Sequence, residues 1–182
     1  MIRPLLFAAL LIAVAPAFAV DYSQAAGSSL TFATRYQGQL FTGRFPSFTT
    51  RLSFDPKNLA AAKLDVLIPL ANVTTADSER DSNLRGGDFF NTAKFPQARF
   101  TSTKFRALGG QRYAADGSLT LHGVSKPVTL AFTWKPGARP VLSGSATVQR
   151  LDFGVGGGDW ADTGLIPNAV SVSTKVVLQP VR

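Results

Sequence analysis

The feature that most constrains the fold of this chain is a regular alternation of apolar and polar side chains over residues 117–134. Every second residue is apolar at Leu119 and Leu121 and again from residue 128 to residue 134. This period of two is typical of β-strands with one apolar face. Between the two runs, Gly123 can adopt a positive φ and Pro127 has no N–H to donate, so both indicate a short connection. We therefore predict an antiparallel hairpin whose apolar face is covered either by other side chains or by a bound molecule.

The N-terminus carries the pattern of a cleavable export signal. Arg3 precedes an unbroken apolar run over residues 5–14, and Ala17 and Ala19 supply the small residues of a cleavage site. The run is shorter than the roughly 20 residues that a membrane-spanning helix needs, although an uncleaved anchor is the alternative. No Cys follows the small residues, which argues against a lipoprotein anchor. We predict a signal peptide over residues 1–19, a mature domain over residues 20–182 and a periplasmic location.

The composition limits the kinds of partner and chemistry that the chain can support. It contains no Cys, which excludes disulfides and thiolate chemistry, so stability must come from a core that one domain of this length can bury. The formal net charge is +8, and the Lys and Arg residues are scattered rather than clustered. This distribution favours transient contact with anionic membrane surfaces and argues against a nucleic-acid partner. The oligomeric state stays open, with a homodimer among the options.

Most of the mature chain is predicted to form strands joined by short turns. Alternation recurs over residues 29–36, 40–54, 64–68, 98–102, 141–151 and 170–178. The exception is residues 74–84, where Thr75 or Asp77 is suited to cap a helix of about two turns that ends at Gly86. Gly117 is interpreted as a bulge or kink, with a hairpin turn at Asp116-Gly117 as the alternative.

These elements predict an all-β fold. About eight or nine strands with short loops and one small helix are typical of an antiparallel barrel or sandwich rather than of an α/β protein. A barrel of eight strands encloses a space wide enough for one small ligand.

Three segments carry more specific patterns. The first is DSNL at residues 81–84, followed by DFF at 88–90, FP at 95–96 and Phe100. The second is GSLTLHGV at residues 117–124, followed by KPV at 126–128, and the third is RLDFGV at residues 150–155. In order and spacing they resemble the YceI-like, lipocalin-like family of polyisoprenoid-binding periplasmic proteins, over residues 21–177.

The resemblance implies an extended eight-stranded antiparallel β-barrel with one short helix, which holds a long isoprenoid or acyl chain. It implies no shared reaction. The chain departs from the family near its first strand, where many members have a His and this chain has RYQG at residues 35–38. A role for that place in holding a ligand head group is therefore not carried over.

Few residues are suited to catalysis or to metal binding. His122 is the only His, and no nucleophile-elbow pattern surrounds the nearby Ser125. One His and no Cys argue against a zinc site. A calcium-loop pattern, with Ser82 where the sharp turn needs Gly, is better explained as a capped helix. The acidic and amide residues of that pattern are Asp77, Glu79, Asp81, Asn83 and Asp88. We predict no catalytic residue, no metal and no organic cofactor.

Apolar side chains on the predicted inward faces are the candidates for a ligand site. They are Phe32, Phe48, Phe54, Phe100, Leu119, Phe132 and Trp134. An ordinary packed core is the alternative for each of them. The chain has 14 Phe but two Trp and three Tyr, which favours an interior poor in hydrogen-bonding groups. Such an interior suits an aliphatic chain, because each buried CH₂ contributes about 0.8 kcal/mol. An anionic head group at the mouth would lie near Arg35, Arg80, Arg85 or Lys126.

We therefore predict a periplasmic binding or carrier protein for a long-chain amphiphilic lipid, of the polyisoprenoid or fatty-acyl type, without enzymatic activity. The first alternative is an enzyme that acts on an isoprenoid or quinone-type lipid. The second is an outer-membrane barrel, which would need apolar residues facing outward in segments of about ten residues. The predicted strands are shorter than that.

Overall fold

The computed structural model describes residues 19–181 as ten β-strands and one α-helix. The strands are β1 Val20–Gln24, β2 Ser29–Tyr36, β3 Gln39–Arg44, β4 Thr49–Phe54, β5 Lys63–Pro69, β6 Gln97–Gly109, β7 Arg112–Leu121, β8 Val124–Lys135, β9 Val141–Gln149 and β10 Ala169–Pro180. Helix α1 spans Ser78–Arg85, and short 3-10 segments span Leu59–Ala61, Arg150–Phe153 and Gly158–Trp160. Apart from Ala19, the predicted signal peptide lies outside the described residues. Among residues 19–181, no helix has the length and apolar character needed to cross a membrane.

Eight of the strands close into an antiparallel barrel. Their order is β1, β4, β5, β6, β7, β8, β9 and β10, and β1 pairs with β10 to complete the ring. The alternating apolar side chains point inward and form one hydrophobic core. The predicted eight-stranded barrel with one short helix is confirmed.

The two remaining strands form a hairpin that opens one side of the barrel. β10 is twelve residues long, and one of its edges pairs with β1 over residues 178–180 and with β2 over residues 171–175. β3 pairs with β2 and lies outside the ring. Beside it, Arg44 and Thr74 exchange two backbone hydrogen bonds of 2.9 and 3.0 Å, which ties the segment between β5 and α1 to the hairpin. On this side, α1 and the segment between β5 and α1 therefore complete the barrel wall.

The predicted hairpin of residues 117–134 is formed by β7 and β8. Leu121 pairs with Val124, so the connection consists of His122 and Gly123. Both have positive φ, 51° and 77°, as the favoured two-residue hairpin turn requires. Pro127 lies inside β8 and not in the connection.

The alternative turn at Asp116-Gly117 is wrong. Both residues lie within β7, where Gly117 pairs with Ser102 on β6. The irregularity expected at Gly117 lies on β6 instead, where the register shifts between Ser102 and Lys104. Gly117 is needed for a different reason, because the ring of Phe100 lies against its α-carbon.

Helix α1 begins at Ser78, four residues after the predicted start at residue 74, and of the two predicted caps Asp77 is confirmed. Asp77 caps it, accepting a hydrogen bond of 2.9 Å from the backbone N–H of Arg80. Ala76 has a φ of 61°, which prevents the helix from extending towards Thr75. Thr75 instead donates from its backbone N–H and its hydroxyl to the Asp81 carboxylate, at 2.6 and 2.7 Å.

Replacing Gly117 by Ala is expected to destabilise the barrel. A Cβ at this position would lie 2.5 Å from Cζ of Phe100 and would also collide with the Thr101 carbonyl. Overpacking of this kind costs about 1–3 kcal/mol, to be measured by urea unfolding. Gly87→Ala is the matched control, because no heavy atom lies within 4 Å of its added Cβ. Equal stability of the two variants would contradict the close approach at Gly117.

An ion pair on the outer face makes the stability depend on acid pH. The Arg106 guanidinium, at 2.7 and 3.0 Å, and the Thr129 hydroxyl, at 2.8 Å, lower the pKa of Asp116 from 3.8 to about 2. Because the folded-state pKa is the lower one, the contribution is complete above the unfolded-state pKa and disappears as the pH falls through the folded-state value. The difference in free energy of unfolding between the wild-type protein and Asp116→Asn should therefore shrink from about pH 5 to pH 2. A difference that stays constant between pH 5 and pH 2 would contradict the stabilising role of this ion pair.

Candidate functional site

The half of the barrel that lies beside the β2–β3 hairpin is hollow. A cavity of about 490 Å³ lies between α1, the loop over residues 155–166 and the inward faces of every strand except β1 and β4. This volume is within the range of about 300–1,000 Å³ that is usual for small-molecule sites. The aromatic part of its lining consists of Phe32, Tyr36, Phe41, Phe45, Phe89, Phe90, Phe100 and Trp160. Aliphatic side chains from β5, β7, β8, β9 and β10 complete the apolar wall.

Two lining rings lie against glycines on neighbouring strands. A Cβ on Gly43, the cross-strand partner of Phe32, would overlap the Phe32 ring. A Cβ on Gly117 would overlap the Phe100 ring in the same way. The missing side chains let each ring lie on the wall instead of filling the interior. The glycines thus keep the cavity open.

The opposite half of the barrel is filled by its own side chains. Phe54 is 1% exposed and contacts four rings, with centroid distances of 4.9 Å to Trp134, 5.2 Å to Tyr113, 5.7 Å to Phe132 and 5.9 Å to Phe105. We call these five rings the aromatic plug. They close one end of the interior.

The predicted ligand-binding residues are divided between these two halves. Phe32, Phe100 and Leu119 line the cavity. Phe54, Phe132 and Trp134 belong to the aromatic plug, and Phe48 is buried in the core without lining the cavity.

Apart from Arg150, the charged groups of the cavity lie at the end formed by α1. Asp77, Glu79, Arg80 and Asn83 line it there. The Arg80 guanidinium lies 4.7 Å from the centroid of the Phe41 ring, and its Nη2 lies 3.5 Å from the Asp77 carboxylate. On β2, the hydroxyl of Thr34, the cross-strand partner of Phe41, also lines the cavity. This hydroxyl is buried and has no hydrogen-bond partner among the described residues.

The other predicted head-group residues do not line the cavity. Arg85 is the last residue of α1 and is partly exposed, and Arg35 is exposed on β2. Lys126 lies opposite Leu119, on the same face of the sheet, but is exposed. Of the predicted cations, only Arg80 therefore reaches the cavity in the described structure.

Arg150 is the functional candidate that the sequence reasoning missed. Its side chain is 4% exposed and lines the cavity, and its five N–H groups meet the carbonyl oxygens of five residues. Nε donates to Pro167 at 3.2 Å, Nη1 to Val155 at 3.0 Å and to Gly156, and Nη2 to Trp160 at 2.7 Å and to Ile166 at 2.8 Å. Burial lowers the pKa of this guanidinium, and no carboxylate pairs with it within residues 19–181. The sequence contained one signal for this residue. Every second side chain of β9 faces inward, and the same alternation makes Arg150 face inward.

His122 is placed outside the cavity. It occupies the β7–β8 turn, and its Nδ1 lies 3.1 Å from the carbonyl oxygen of Phe153. Its ring also packs edge-on against Phe95, with 4.9 Å between the centroids. The described residues contain no group of three or more His, Cys, Asp or Glu side chains arranged to hold a metal ion.

Comparison with known proteins gives matches in both sequence and structure. A model of the YceI-like domain family matches residues 22–178. The chain is 42% identical over 130 residues to the protein YceI of Escherichia coli O157:H7, which covers 69% of this chain and 68% of that protein. BcnA of Burkholderia cenocepacia is similar in structure, with a TM-score of 0.80, 28% identity and coverage of 84% of this chain and 96% of that chain. A polyisoprenoid binding domain from Saccharophagus degradans shares the fold, with a TM-score of 0.67, 20% identity and coverage of 90% and 99%.

The two halves of the barrel should respond differently to the loss of a ring. Phe54→Ala is expected to cost about 3–5 kcal/mol, because it empties a densely packed site. Phe41→Ala should cost less, because Phe41 is only partly buried and one side of its ring faces the cavity. Urea unfolding followed by tryptophan fluorescence measures both. Equal losses would show that the cavity half is packed as tightly as the plug.

Proposed function

Because this chain belongs to the YceI-like family, we propose that it is a periplasmic binding or carrier protein for a long-chain amphiphilic lipid. The ligand is of the polyisoprenoid or fatty-acyl type, and its hydrocarbon chain occupies the barrel. The single observation that carries this proposal is the cavity, which has apolar walls, a plugged end and charged groups at the other end. Apolar chains gain about 0.8 kcal/mol for each CH₂ that enters such a space.

The orientation of the ligand follows from the distribution of polar atoms. The head group lies at the α1 end, where Arg80 and the unpartnered Thr34 hydroxyl offer a cation and a hydrogen-bonding group. The hydrocarbon chain runs from there between Phe32, Phe100 and Leu119. A few placed polar groups in an otherwise apolar pocket commonly orient a ligand in this way.

We propose binding without turnover. His122 does not line the cavity, and its Nδ1 is engaged by the Phe153 carbonyl. The cavity lining contains acids and arginines but no pair of nucleophile and base within hydrogen-bond reach, as far as the described residues show. The carboxylate of Asp77 is committed to the cap of α1.

The proposed site of action is the periplasm, next to a membrane. The export pattern of residues 1–19 supports this location, and the formal net charge of +8 supports transient contact with anionic lipid surfaces. Exported protein should begin at Val20, which the intact mass of the mature chain tests.

The first test is native mass spectrometry of the mature protein purified from periplasm, with organic extraction of any bound molecule. A stoichiometric adduct that carries a long hydrocarbon chain is expected. A clean unliganded mass, followed by no uptake of farnesol, solanesol or palmitic acid, would overturn the proposal.

A ring placed inside the cavity should weaken ligand binding. Ala98 is 3% exposed on β6 and lines the cavity, so Ala98→Phe would occupy space that the hydrocarbon chain needs. We expect affinity for palmitic acid to fall about tenfold or more, since a ring displaces several CH₂ groups. Ala131→Phe makes the same change on the exposed outer face of β8 and should leave affinity unchanged. Equal affinity of the two variants would place the ligand outside the cavity.

A further inference from the structure

Two neighbouring strands of the barrel separate beside the cavity. The ladder between β8 and β9 stops at the pair of Ala131 and Ser145. Both strands nevertheless continue, β8 along β7 back to residue 124 and β9 along β10 to residue 149. Within residues 19–181, residues 124–130 of β8 and 146–149 of β9 thus have a paired strand on one side only. We call this opening the β8–β9 slit.

The slit is bounded at both ends. At one end stands the β8–β9 ladder. At the other, the segment Arg150–Phe153 contacts β8, and the Phe153 carbonyl meets His122 in the β7–β8 turn. The opening is therefore a lens-shaped gap in the barrel wall and not a frayed strand end.

The inward side chains beside the slit are less deeply buried than those beside the intact ladder. Beside the ladder, Phe132 is 3% exposed and Leu142 is 1% exposed. On the same inner face, Val128 and Leu130 of β8 and Ala146 of β9 are only partly buried. All three also line the cavity. The slit therefore borders the cavity.

The residues of the slit suit an edge that stays unpaired. Pro127 lies in this part of β8, and Pro is tolerated in sheets mainly at edges, because it has no N–H to give to a neighbouring strand. The facing part of β9 begins with a small inward residue, Ala146. Gly144 is the preceding inward residue, inside the ladder, and Leu130 Cδ1 lies 3.0 Å from the place where a Cβ on Gly144 would stand.

A long ligand needs such a passage. The cavity of about 490 Å³ lies in the lower half of the range for drug-sized ligands, whereas a long polyisoprenoid has many more carbon atoms than a drug-sized molecule. The aromatic plug blocks the far end of the barrel. The head group, in turn, occupies the α1 end in the proposed orientation.

We propose that the β8–β9 slit is a lateral port through which the tail of a long-chain ligand leaves the barrel, so that the protein accepts chains longer than its cavity. This inference rests on the proposed lipid-binding function and adds how the ligand is accommodated. The occupant of the slit is the alkyl or isoprenoid tail itself. Its chemistry matches the apolar Val128, Leu130, Ala146 and Val148, which border the slit and line the cavity.

The absence of native Cys allows the slit to be closed by a single engineered disulfide. Extending the register beyond Ala131 and Ser145 brings Thr129 opposite Thr147, and both are exposed on the outer face. The test variant is therefore Thr129→Cys with Thr147→Cys. The matched control is Thr133→Cys with Ser143→Cys, which are direct partners in the intact ladder and are equally exposed. Thr129→Cys removes the hydrogen bond from Thr129 to Asp116 in both redox states. Comparing the oxidised with the reduced protein therefore isolates the effect of the disulfide.

The readout is affinity across two series of increasing chain length, farnesol to solanesol and lauric acid to arachidic acid. Each buried CH₂ contributes about fourfold to affinity. Closing the slit is expected to weaken binding of solanesol and arachidic acid about tenfold or more, while farnesol and lauric acid change less than about twofold. Reduction should restore the long chains, and the control pair should show no change with any ligand.

Several outcomes would overturn the inference. If the disulfide forms, as shown by intact mass, and long chains still bind equally, the tail does not use the slit. If the strands stand too far apart for a disulfide, a bismaleimide linker between the same two cysteines bridges and blocks the gap. Unchanged binding of solanesol to the linked protein would then also show that the tail does not use the slit. If the proposed lipid-binding function is itself wrong, no ligand of any chain length binds the reduced protein. This result is distinct from a failure of the port alone, in which long chains bind whether or not the slit is closed.

Discussion

The architecture depends on one long strand, β10, which pairs with two different strands along the same edge. β10 pairs with β1 along its last residues and with β2 along its first ones. Where β1 pairs, eight strands close tightly and side chains can fill the interior. Where β10 pairs with β2, the β2–β3 hairpin lies outside the ring of eight strands, and a helix, α1, completes the wall. A filled half and a hollow half thus follow from one twelve-residue strand.

Stability and binding capacity are assigned to different halves of the same core. The aromatic plug provides dense packing, in which the Phe54 ring contacts the other four rings. In the hollow half, Gly43 and Gly117 let Phe32 and Phe100 lie on the wall, so the interior is lined without being filled. A cavity wall lacks packing partners on one side and adds less to stability. The plug therefore offsets the weaker packing of the hollow half.

Much of the fold could be predicted from period-two alternation, because alternation determines which side chains face inward. It identified the β7–β8 hairpin and most of the strands, and the acid-rich segment identified α1. However, alternation does not show how far along the barrel axis an inward side chain lies. Phe32 and Phe54 share the inward face, yet one lines the cavity and the other lies in the plug. Long-range pairing decides this difference, and it also decides that the guanidinium of Arg150 is buried, which its charge alone argues against.

The way in which Arg150 holds the loop has a consequence for sequence variation. All five contacts of its guanidinium are to main-chain oxygens between Val155 and Pro167, and none is to a side chain. The course of this wall is therefore held through backbone oxygens, and Gly156 must lack a side chain because a Cβ there would lie 2.6 Å from Arg150 Nη1. The side chains of Trp160 and Ile166 line the cavity from that loop, while Arg150 contacts only their carbonyl oxygens. A protein built in this way can acquire a new ligand preference by altering the lining of one loop, without redesigning the barrel.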